Sequence, residues 1–361
     1  MSVRTAVQSV MVALAIVSSM ASQATEPARL SLNENPFGPS PLAVAAIHAD
    51  LDDLARYTTD AEVEALVALI AAREQVSPEL IVLGEILQPL GLHFSLQGGP
   101  GGEFIYSVPG YPALVNAAAS VGGVVVGVPL DARLENDLAT IAASVNDRTR
   151  AIFLVNPHNP SGTVSDTQAF KDFLRDVSRR SLVVVDEAYL EFSDDFEGRT
   201  AVALTREGEN VLVFRTFAKA YGLAGLQIGY AVAPRTVADA LRAQGLGAPR
   251  SLDRLAVAAA AASLRDVEYL GKIHAAVATE RDAWNDFFRI HGIEHTPSQG
   301  NFVYFNAHKP TAEVAAALLA KGVVIGRGFP PYDTWVRISI GLPDENARAR
   351  HAVLQVLSST E

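Results

Sequence analysis

The sequence contains no cysteine among its 361 residues. This absence excludes disulfide bonds, thiolate metal sites, iron–sulfur clusters and cysteine nucleophiles, so serine, lysine, histidine, aspartate and glutamate must carry any chemistry. Positive charge is also scarce, since 29 Lys and Arg residues stand against 40 Asp and Glu residues and the formal net charge is -11. A nucleic-acid-binding protein needs a basic surface. We therefore expect small molecules or further copies of the chain as partners, and no nucleic acid.

The first 24 residues differ from the rest of the chain. Arg4 is their only charged residue, residues 10–17 are wholly apolar, and small residues lead up to Ala24. This pattern predicts a secretory signal peptide over residues 1–24. The apolar run is too short to span a membrane, which takes about 20 residues, so we expect no stable membrane insertion. A periplasmic or secreted protein is predicted if the leader is removed; the alternatives are a disordered extension or a start at Met20, which would leave the protein in the cytoplasm.

Apolar amino acids make up 49% of the sequence, enough to bury a large core. Continuous apolar runs that end on polar or turn residues are typical of strands buried on both faces. Such runs occur at 122–130, 151–157, 181–189, 210–217 and 225–233. Amphipathic stretches such as 167–178 alternate with them. The alternation predicts an α/β fold, a mostly parallel sheet covered by helices, with a site at the carboxyl ends of the strands.

After about residue 250 the pattern changes to Ala-rich helices, expected around 253–263, 274–290 and 311–320, followed by short strands. This change predicts a second, smaller α+β domain. The predicted organisation is a signal peptide at 1–24, an N-terminal strap at 25–50, a large domain at 51–250 and a small domain at 251–361.

Polar side chains follow three of the predicted strands. Asn159 lies in the turn-rich segment NPHNPSGT, Asp186 and Tyr189 end the next strand, and Lys219 follows the third. Read alone, Lys219 could be an ordinary surface lysine. The ordered set of amide, carboxylate, phenol and amine meets the needs of pyridoxal phosphate, which requires a lysine for its Schiff base, an acid for its ring nitrogen and donors for its phenolate oxygen.

From about residue 30 to the end, the chain resembles a fold-type-I, pyridoxal-phosphate-dependent aminotransferase of the histidinol-phosphate aminotransferase group. The motifs that carry the resemblance are LNENPFGPSP (32–41), RYTTD (56–60), PGY (109–111), NPHNPSGT (156–163), VVVDEAYLEF (183–192), RTFAKAYGLAGLQIGY (215–230), GNFVYF (300–305) and WVRISIG (335–341). Residues 51–250 would accordingly form the cofactor-binding domain.

The resemblance implies a role for each matching residue. Lys219 would form the Schiff base and later move a proton between the substrate and the cofactor. Asp186 would pair with the pyridinium nitrogen. Asn159 and Tyr189 would bind the 3′ oxygen, and Tyr111 would stack on the ring.

Further residues are implied in substrate binding and assembly. Arg337 would bind the substrate α-carboxylate through a bidentate contact, as the planar guanidinium allows. Asn33 and Asn35 would lie near the substrate. Tyr57 would reach the cofactor phosphate of a neighbouring subunit, which implies a homodimer.

The sequence departs from the family pattern where the cofactor phosphate should bind. The family has a loop resembling GxGSDE, whereas this chain keeps only Gly84 before Glu85. Ala218 replaces the serine that precedes the lysine, and Gln227 replaces an arginine. Three phosphate contacts are therefore weakened together.

Two hypotheses account for this loss. In the first, Gly84, Thr216, Tyr57 and main-chain amides of the glycine-rich segment 97–103 rebuild the phosphate site, because glycine lets the backbone approach an anion closely. In the second, the chain is a degenerate, non-catalytic relative that binds a ligand. The segment 97–103 could equally be an ordinary turn. The chain retains the five residues expected to bind the cofactor ring and the substrate, namely Lys219, Asp186, Asn159, Tyr189 and Arg337. This retention favours the first hypothesis.

We therefore predict a transaminase that moves an amino group between an L-amino acid and a 2-oxo acid. Another pyridoxal phosphate reaction, such as decarboxylation, cyclisation or elimination, is the alternative on the same scaffold. An amino acid is favoured over histidinol phosphate as the substrate, because histidinol phosphate needs cationic groups for its phosphate and export would remove the protein from cytosolic histidine synthesis.

No HExxH or comparable spacing occurs, so no metal site is predicted.

Overall fold

The computed structural model describes residues 26–358, so the predicted signal peptide lies outside the described residues. The strands are β1 (Ala28–Leu30), β2 (Ile81–Leu83), β3 (Glu103–Val108), β4 (Val124–Pro129), β5 (Thr149–Val155), β6 (Leu182–Asp186), β7 (Val211–Thr216), β8 (Gly229–Val232), β9 (Phe302–Asn306), β10 (Val323–Ile325) and β11 (Trp335–Ser339).

Helices pack around these strands and connect them. They are α1 (Pro41–Asp50), α2 (Asp60–Glu74), α3 (Leu87–Gly98), α4 (Ala113–Ala119), α5 (Leu138–Ser144), α6 (Thr167–Ser178), α7 (Phe196–Arg199), α8 (Val202–Arg206), α9 (Arg235–Ala243), α10 (Arg254–Arg265), α11 (Val267–Ile290), α12 (Thr311–Leu319) and α13 (Pro343–Ser358). No helix within 26–358 is long and apolar enough to cross a membrane.

A seven-stranded sheet forms the centre of the molecule, with the order β2-β8-β7-β6-β5-β3-β4. The neighbours from β7 to β4 pair in parallel, while β8 runs antiparallel to both β7 and β2. The start of β8 therefore lies at the same edge as the ends of the other strands. This arrangement confirms the predicted α/β class with a mostly parallel sheet.

One strand differs from its expected environment. The run at 122–130 was expected to be buried on both faces, but β4 is the outermost strand of the sheet. Val124 and Val125 are 44% and 38% exposed. The expectation was wrong because a run of β-branched residues identifies a strand without saying whether it has a neighbour on both sides.

Two small two-stranded sheets accompany the large one. β1 pairs in parallel with β10, and β9 pairs antiparallel with β11. The N-terminal strand is therefore joined to the C-terminal part of the chain, and residues 31–40 pass from it towards α1. These residues cross the carboxyl edge of the large sheet, where they contact Tyr189 and Lys219.

A buried ion network lies on one face of the large sheet. The Arg215 guanidinium is 2.8 Å from the Glu187 carboxylate and 3.6 Å from that of Glu74. The Tyr230 hydroxyl donates to Glu74 over 2.7 Å. Burial raises the pKa of Glu187 to about 7, against the opposing charge of Arg215. Since a buried charge is costly without a partner, the network ties β6 and β7 together just where the site begins.

Candidate active site

Polar residues converge at one edge of the large sheet. Asp186 is the last residue of β6 and Thr216 the last of β7, while Asn159 follows β5 and Tyr111 follows β3. Parallel strands place their carboxyl ends side by side, which brings these residues together despite their separation in sequence. The structure thus confirms that the strand ends meet.

Two further side chains reach this edge from the antiparallel end of the sheet. Glu85 lies just after β2, and Gln227 lies just before β8. They help to line a cavity of about 390 Å³. Its lining consists of Glu85, Leu87, Gln88, Tyr111, Ala113, Val155, Asn159, Asp186, Ala188, Tyr189, Phe214, Thr216, Ala218, Lys219, Ala224 and Gln227.

The Asp186 carboxyl is buried, with 3% of the residue exposed. Within the described chain, its side chain accepts one hydrogen bond, from Ala188 N over 3.0 Å. Burial raises the pKa of Asp186 to about 7, and the nearby charge of Glu85 acts in the same direction. A buried acid with so little compensation can stabilise a cation that enters the cavity.

A chain of hydrogen bonds runs from the strap into the cavity. The Tyr189 hydroxyl accepts from Asn33 Nδ2 at 3.3 Å and from Asn159 Nδ2 at 3.2 Å. Arg337 Nη1 donates to Asn159 Oδ1 over 2.6 Å. Ser339, in β11, donates to Asn33 Oδ1 over 2.9 Å. Four of the predicted site residues are therefore directly linked.

Lys219 lies between the strap and the sheet. Its ammonium donates to the Leu32 carbonyl over 3.1 Å and lies 5.9 Å from the centre of the Tyr189 ring. Burial lowers the pKa of Lys219, and the positive charge of Arg337 adds to this effect, while Asp186 opposes it. A lowered pKa makes the neutral amine more accessible at neutral pH, as a nucleophile requires.

The loop that presents Asn159 is held by buried hydroxyl groups. Ser161 Oγ contacts His158 Nδ1 at 2.9 Å and Thr163 Oγ1 at 2.8 Å, and Thr163 donates to the Leu134 carbonyl. Burial lowers the pKa of His158 to about 3, so its ring is neutral. These contacts fix the loop from behind, which explains why its serine and threonine are buried.

Some predicted residues lie outside the cavity. The Gly84 amide already donates to the Gly229 carbonyl over 2.8 Å, and Gly84 lines a neighbouring groove instead. Asn35 donates to the Ala220 carbonyl over 2.9 Å and holds the strap against the lysine loop. Tyr57 is 75% exposed and does not line the cavity of its own chain. Their cofactor and substrate roles stay predictions.

The suggested phosphate role of segment 97–103 was wrong. This segment joins the end of α3 to the start of β3. Because β3 is parallel to β5, its start lies at the edge of the sheet opposite to the cavity. Gly98 and Gly102 instead pack closely against the Arg150 side chain, so the segment is the ordinary turn that was the alternative reading.

Three residues that were not predicted from the sequence also shape the site. Gln88 lines the cavity from the first turn of α3. Ser339 and Asn301 hold Asn33, the latter by donating to its carbonyl over 3.0 Å. Ser339 and Asn301 belong to the motifs WVRISIG and GNFVYF, so the family motifs could have indicated them.

Residues 25–353 match the family Aminotransferase class I and II. The chain therefore belongs to this family. Among its relatives is the histidinol-phosphate aminotransferase of Limosilactobacillus fermentum, 36% identical over 334 residues that cover 91% of this chain and 90% of that protein. The enzyme of the same description from Moorella thermoacetica is 34% identical over 337 residues, covering 91% and 85%.

A solved structure adds the cofactor. The histidinol-phosphate aminotransferase of Sinorhizobium meliloti, in complex with pyridoxal-5′-phosphate, superimposes with a TM-score of 0.81 at 29% identity, covering 92% of this chain and 91% of that one. These findings confirm the predicted family, fold, aminotransferase activity and cofactor.

The described residues fit the ring of that cofactor better than its phosphate. Asp186 offers a buried acid that lacks a matched cation, as a pyridinium nitrogen requires, and Lys219 offers a desolvated amine. At the other end of the cavity, the lining contains the carboxylate of Glu85 and no arginine among the described residues. The cavity therefore fits the ring of the cofactor well and its phosphate poorly.

The buried acid predicts a pH-dependent stability in the cofactor-free protein. Burial raises the pKa of Asp186 from 3.8 to about 7, so the folded state holds a proton that the unfolded chain releases. This contribution to stability is full below pH 3.8 and is lost as the pH rises through 7. Asp186→Asn should therefore raise the free energy of unfolding at pH 8 by on the order of 1–2 kcal/mol, and by less at pH 5.5. Urea denaturation at both pH values measures the difference.

The matched control is Glu197→Gln, which neutralises an exposed carboxylate on α7 and should show no such pH dependence. A variant at Asp186 that is less stable than the wild type at pH 8 would contradict the assignment of an uncompensated buried acid.

Proposed function

We propose that this chain transfers an amino group between an L-amino acid and a 2-oxo acid, with the reaction centred on Lys219. The observation that carries the proposal is the cavity that a desolvated lysine, a buried aspartate and Asn159 line together. Arg337 lies directly behind this lining and donates a hydrogen bond to Asn159. Membership in the aminotransferase family supports the same reaction.

Pyridoxal phosphate, when bound, supplies an aldehyde that reacts with amines and a ring that delocalises negative charge at the neighbouring carbon. Lys219 is the base that removes and returns the proton at the substrate Cα, since its lowered pKa leaves a larger share of neutral amine. The Leu32 carbonyl accepts a hydrogen bond from this amine and so restrains its position. Strap and lysine therefore act together.

Asp186 would hold the ring nitrogen in its protonated state. Burial raises the pKa of this carboxyl because its charged form lacks solvent. A cation placed against it would supply the missing partner and form a desolvated ion pair. Asn159 and Tyr189 would orient the ring through its oxygen, and both are already fixed by their bonds to Arg337 and Asn33. Tyr111, at the side of the cavity, would cover the ring face.

Arg337 would bind the substrate carboxylate. It is 8% exposed, and its Nε has no hydrogen-bond partner among the described residues. Its two terminal nitrogens donate to Asn159 and to the Ser31 carbonyl. Ser31 of the strap thus helps to orient the guanidinium. The hydrogen bond from Asn33 to Tyr189 supports the predicted place of Asn33 near the substrate.

Histidinol phosphate is a second candidate as amino donor, because the relatives of this chain are named for it. This molecule carries a phosphate ester where an amino acid carries its carboxylate. The guanidinium groups of Arg327 and Arg337 lie 4.6 and 5.0 Å from the centre of the Phe329 ring. Two guanidinium groups beside one ring suit a phosphate, which carries more negative charge and more oxygen atoms than a carboxylate.

Two arginine variants distinguish these substrates. Arg337→Ala should lower kcat/KM for amino acid donors by about 100-fold, because it removes charged hydrogen bonds to the carboxylate. Arg327→Ala should leave that value within about threefold and lower only the rate with histidinol phosphate. Initial rates with a panel of L-amino acids and with histidinol phosphate, each in the presence of 2-oxoglutarate, measure both effects.

Lys219→Ala is the control that must abolish turnover with every donor. Product formation without a 2-oxo acid would instead indicate decarboxylation, cyclisation or elimination. Failure of the wild type to consume any donor in the presence of pyridoxal phosphate would contradict the enzyme assignment and favour a binding protein.

We propose that the active unit is a homodimer in which Tyr57 serves the cavity of the partner. Apolar side chains on α1 and in the segment after it are exposed, namely Leu42, Val44, Leu51, Leu54 and Tyr57. A second copy on this face would cover them. The Arg254 guanidinium donates to the Tyr57 carbonyl over 3.1 Å and fixes the segment that presents the tyrosine.

Subunit mixing tests this arrangement. Homodimers of Lys219→Ala and of Tyr57→Phe are each impaired, but a mixed dimer contains one cavity with both Lys219 and a partner tyrosine. Activity should therefore rise on mixing, and sedimentation should give the mass of a dimer. The proposal would be overturned by a monomeric protein. It would also be overturned if the two variants exchange subunits and activity does not rise.

We propose that residues 1–24 direct export and are then removed. The composition of this segment supports the proposal. Mass spectrometry of the native protein should show an N-terminus at Thr25 outside the cytoplasm. Retention of the whole chain in the cytoplasm would contradict it.

A further inference from the structure

The end of the cavity between α3 and β8 is poor in positive charge. Glu85 and Gln227 line it together with Gln88, Ala218 and Ala224. Among the described residues that line the whole cavity, Lys219 is the only cation, and it faces two acids, Glu85 and Asp186. Among the groups of its own chain, a doubly charged phosphate placed here would meet a carboxylate and neutral amides.

Glu85 lines the cavity and acts on the groups inside it. Its carboxylate interacts with the charge of Lys219, and it raises the pKa of Asp186 and of Tyr111. The surrounding protein raises the pKa of Glu85 itself through desolvation. The side chain is therefore part of the site and not only of the surface.

Glu85 also lies close in sequence to the N-terminus of α3. The helix begins at Leu87, with Ile86 as its N-cap and no side-chain cap. Free N–H groups at a helix start stabilise an anion. In this chain Glu85 lies two residues before the helix, so an acidic residue of the protein is next to this N-terminus along the chain.

Thr216 and Ala218 offer few free hydrogen-bond donors to an anion. The Thr216 hydroxyl oxygen accepts from Ala218 N over 3.0 Å and lies 3.5 Å from the Ile228 carbonyl. The amide and the hydroxyl are therefore engaged with the protein, and Ala218 has no polar side chain. Gln227 remains as a neutral donor and acceptor.

We propose that this end of the cavity accepts the neutral hydroxymethyl group of pyridoxal nearly as well as the phosphate of pyridoxal phosphate, with Glu85 and Gln227 as its hydrogen-bond partners. The hydroxymethyl group donates to the carboxylate and accepts from the amide, and Glu85 supplies the negative charge that the phosphate otherwise brings. This inference rests on the proposed function, because it assumes that the ring binds at Lys219.

The test is a pair of titrations on the full-length chain, freed of cofactor by dialysis. Pyridoxal phosphate and pyridoxal are added separately, and binding is followed by equilibrium dialysis and by the absorbance of the imine with Lys219. We expect the two dissociation constants of the wild type to lie within about tenfold of each other. Gln227→Arg and Glu85→Gln should each tighten pyridoxal phosphate by about tenfold, as a charged hydrogen bond gained or a repulsion removed predicts. Pyridoxal should gain no affinity in either variant, because neither change removes a repulsion from its neutral hydroxymethyl group.

Gln168→Arg is the matched control, since it adds the same charge on the exposed side of α6 and should change neither constant. The inference is overturned if the wild type prefers pyridoxal phosphate by about 1000-fold and neither cavity variant alters this preference, because other groups then hold the phosphate. If neither aldehyde gives an absorbance that Lys219→Ala abolishes, the proposed function fails as well.

Discussion

Burial of two consecutive acids at the end of β6 governs the rest of the structure. Asp186 and Glu187 are both removed from water, and burial raises the pKa of each to about 7. The two side chains have different partners: Glu187 contacts Arg215, and Asp186 lines the cavity. One acid is therefore compensated within the chain, and the other is left for a cation that a ligand brings.

The neighbouring strand repeats this division. Arg215 belongs to the ion network, while the next residue, Thr216, lines the cavity. Alternation of side chains along a strand thus places a rigid charged layer behind the site and polar groups in front of it. Lys219 follows within three residues, so its position depends on a strand that the Arg215 network holds in place. The strap closes the front through Leu32 and Asn33.

Much of the fold and site could be predicted because the signals are local. Apolar runs that end in Asp186 or precede Lys219 indicate strands with polar ends, whatever lies beside them. Three aspects could not be predicted in this way. The exposure of β4 depends on its position as the outermost strand. The role of the turn at 97–103 depends on whether it lies at the end of the sheet that carries the cavity. The placement of Gly84 depends on a hydrogen bond to Gly229. Each depends on pairing between distant segments.

The sequence by itself determined the chemical set: a lysine, an aspartate, an asparagine and a tyrosine at the ends of successive strands, without any thiol to compete. Only the tertiary structure decided how these groups are charged and joined. It brings Arg337 to Asn159 and sets the carboxylate of Glu85 against Lys219. The physical reason is that side-chain type and strand pattern are local, whereas desolvation and electrostatic coupling arise only when distant segments pack around a common space.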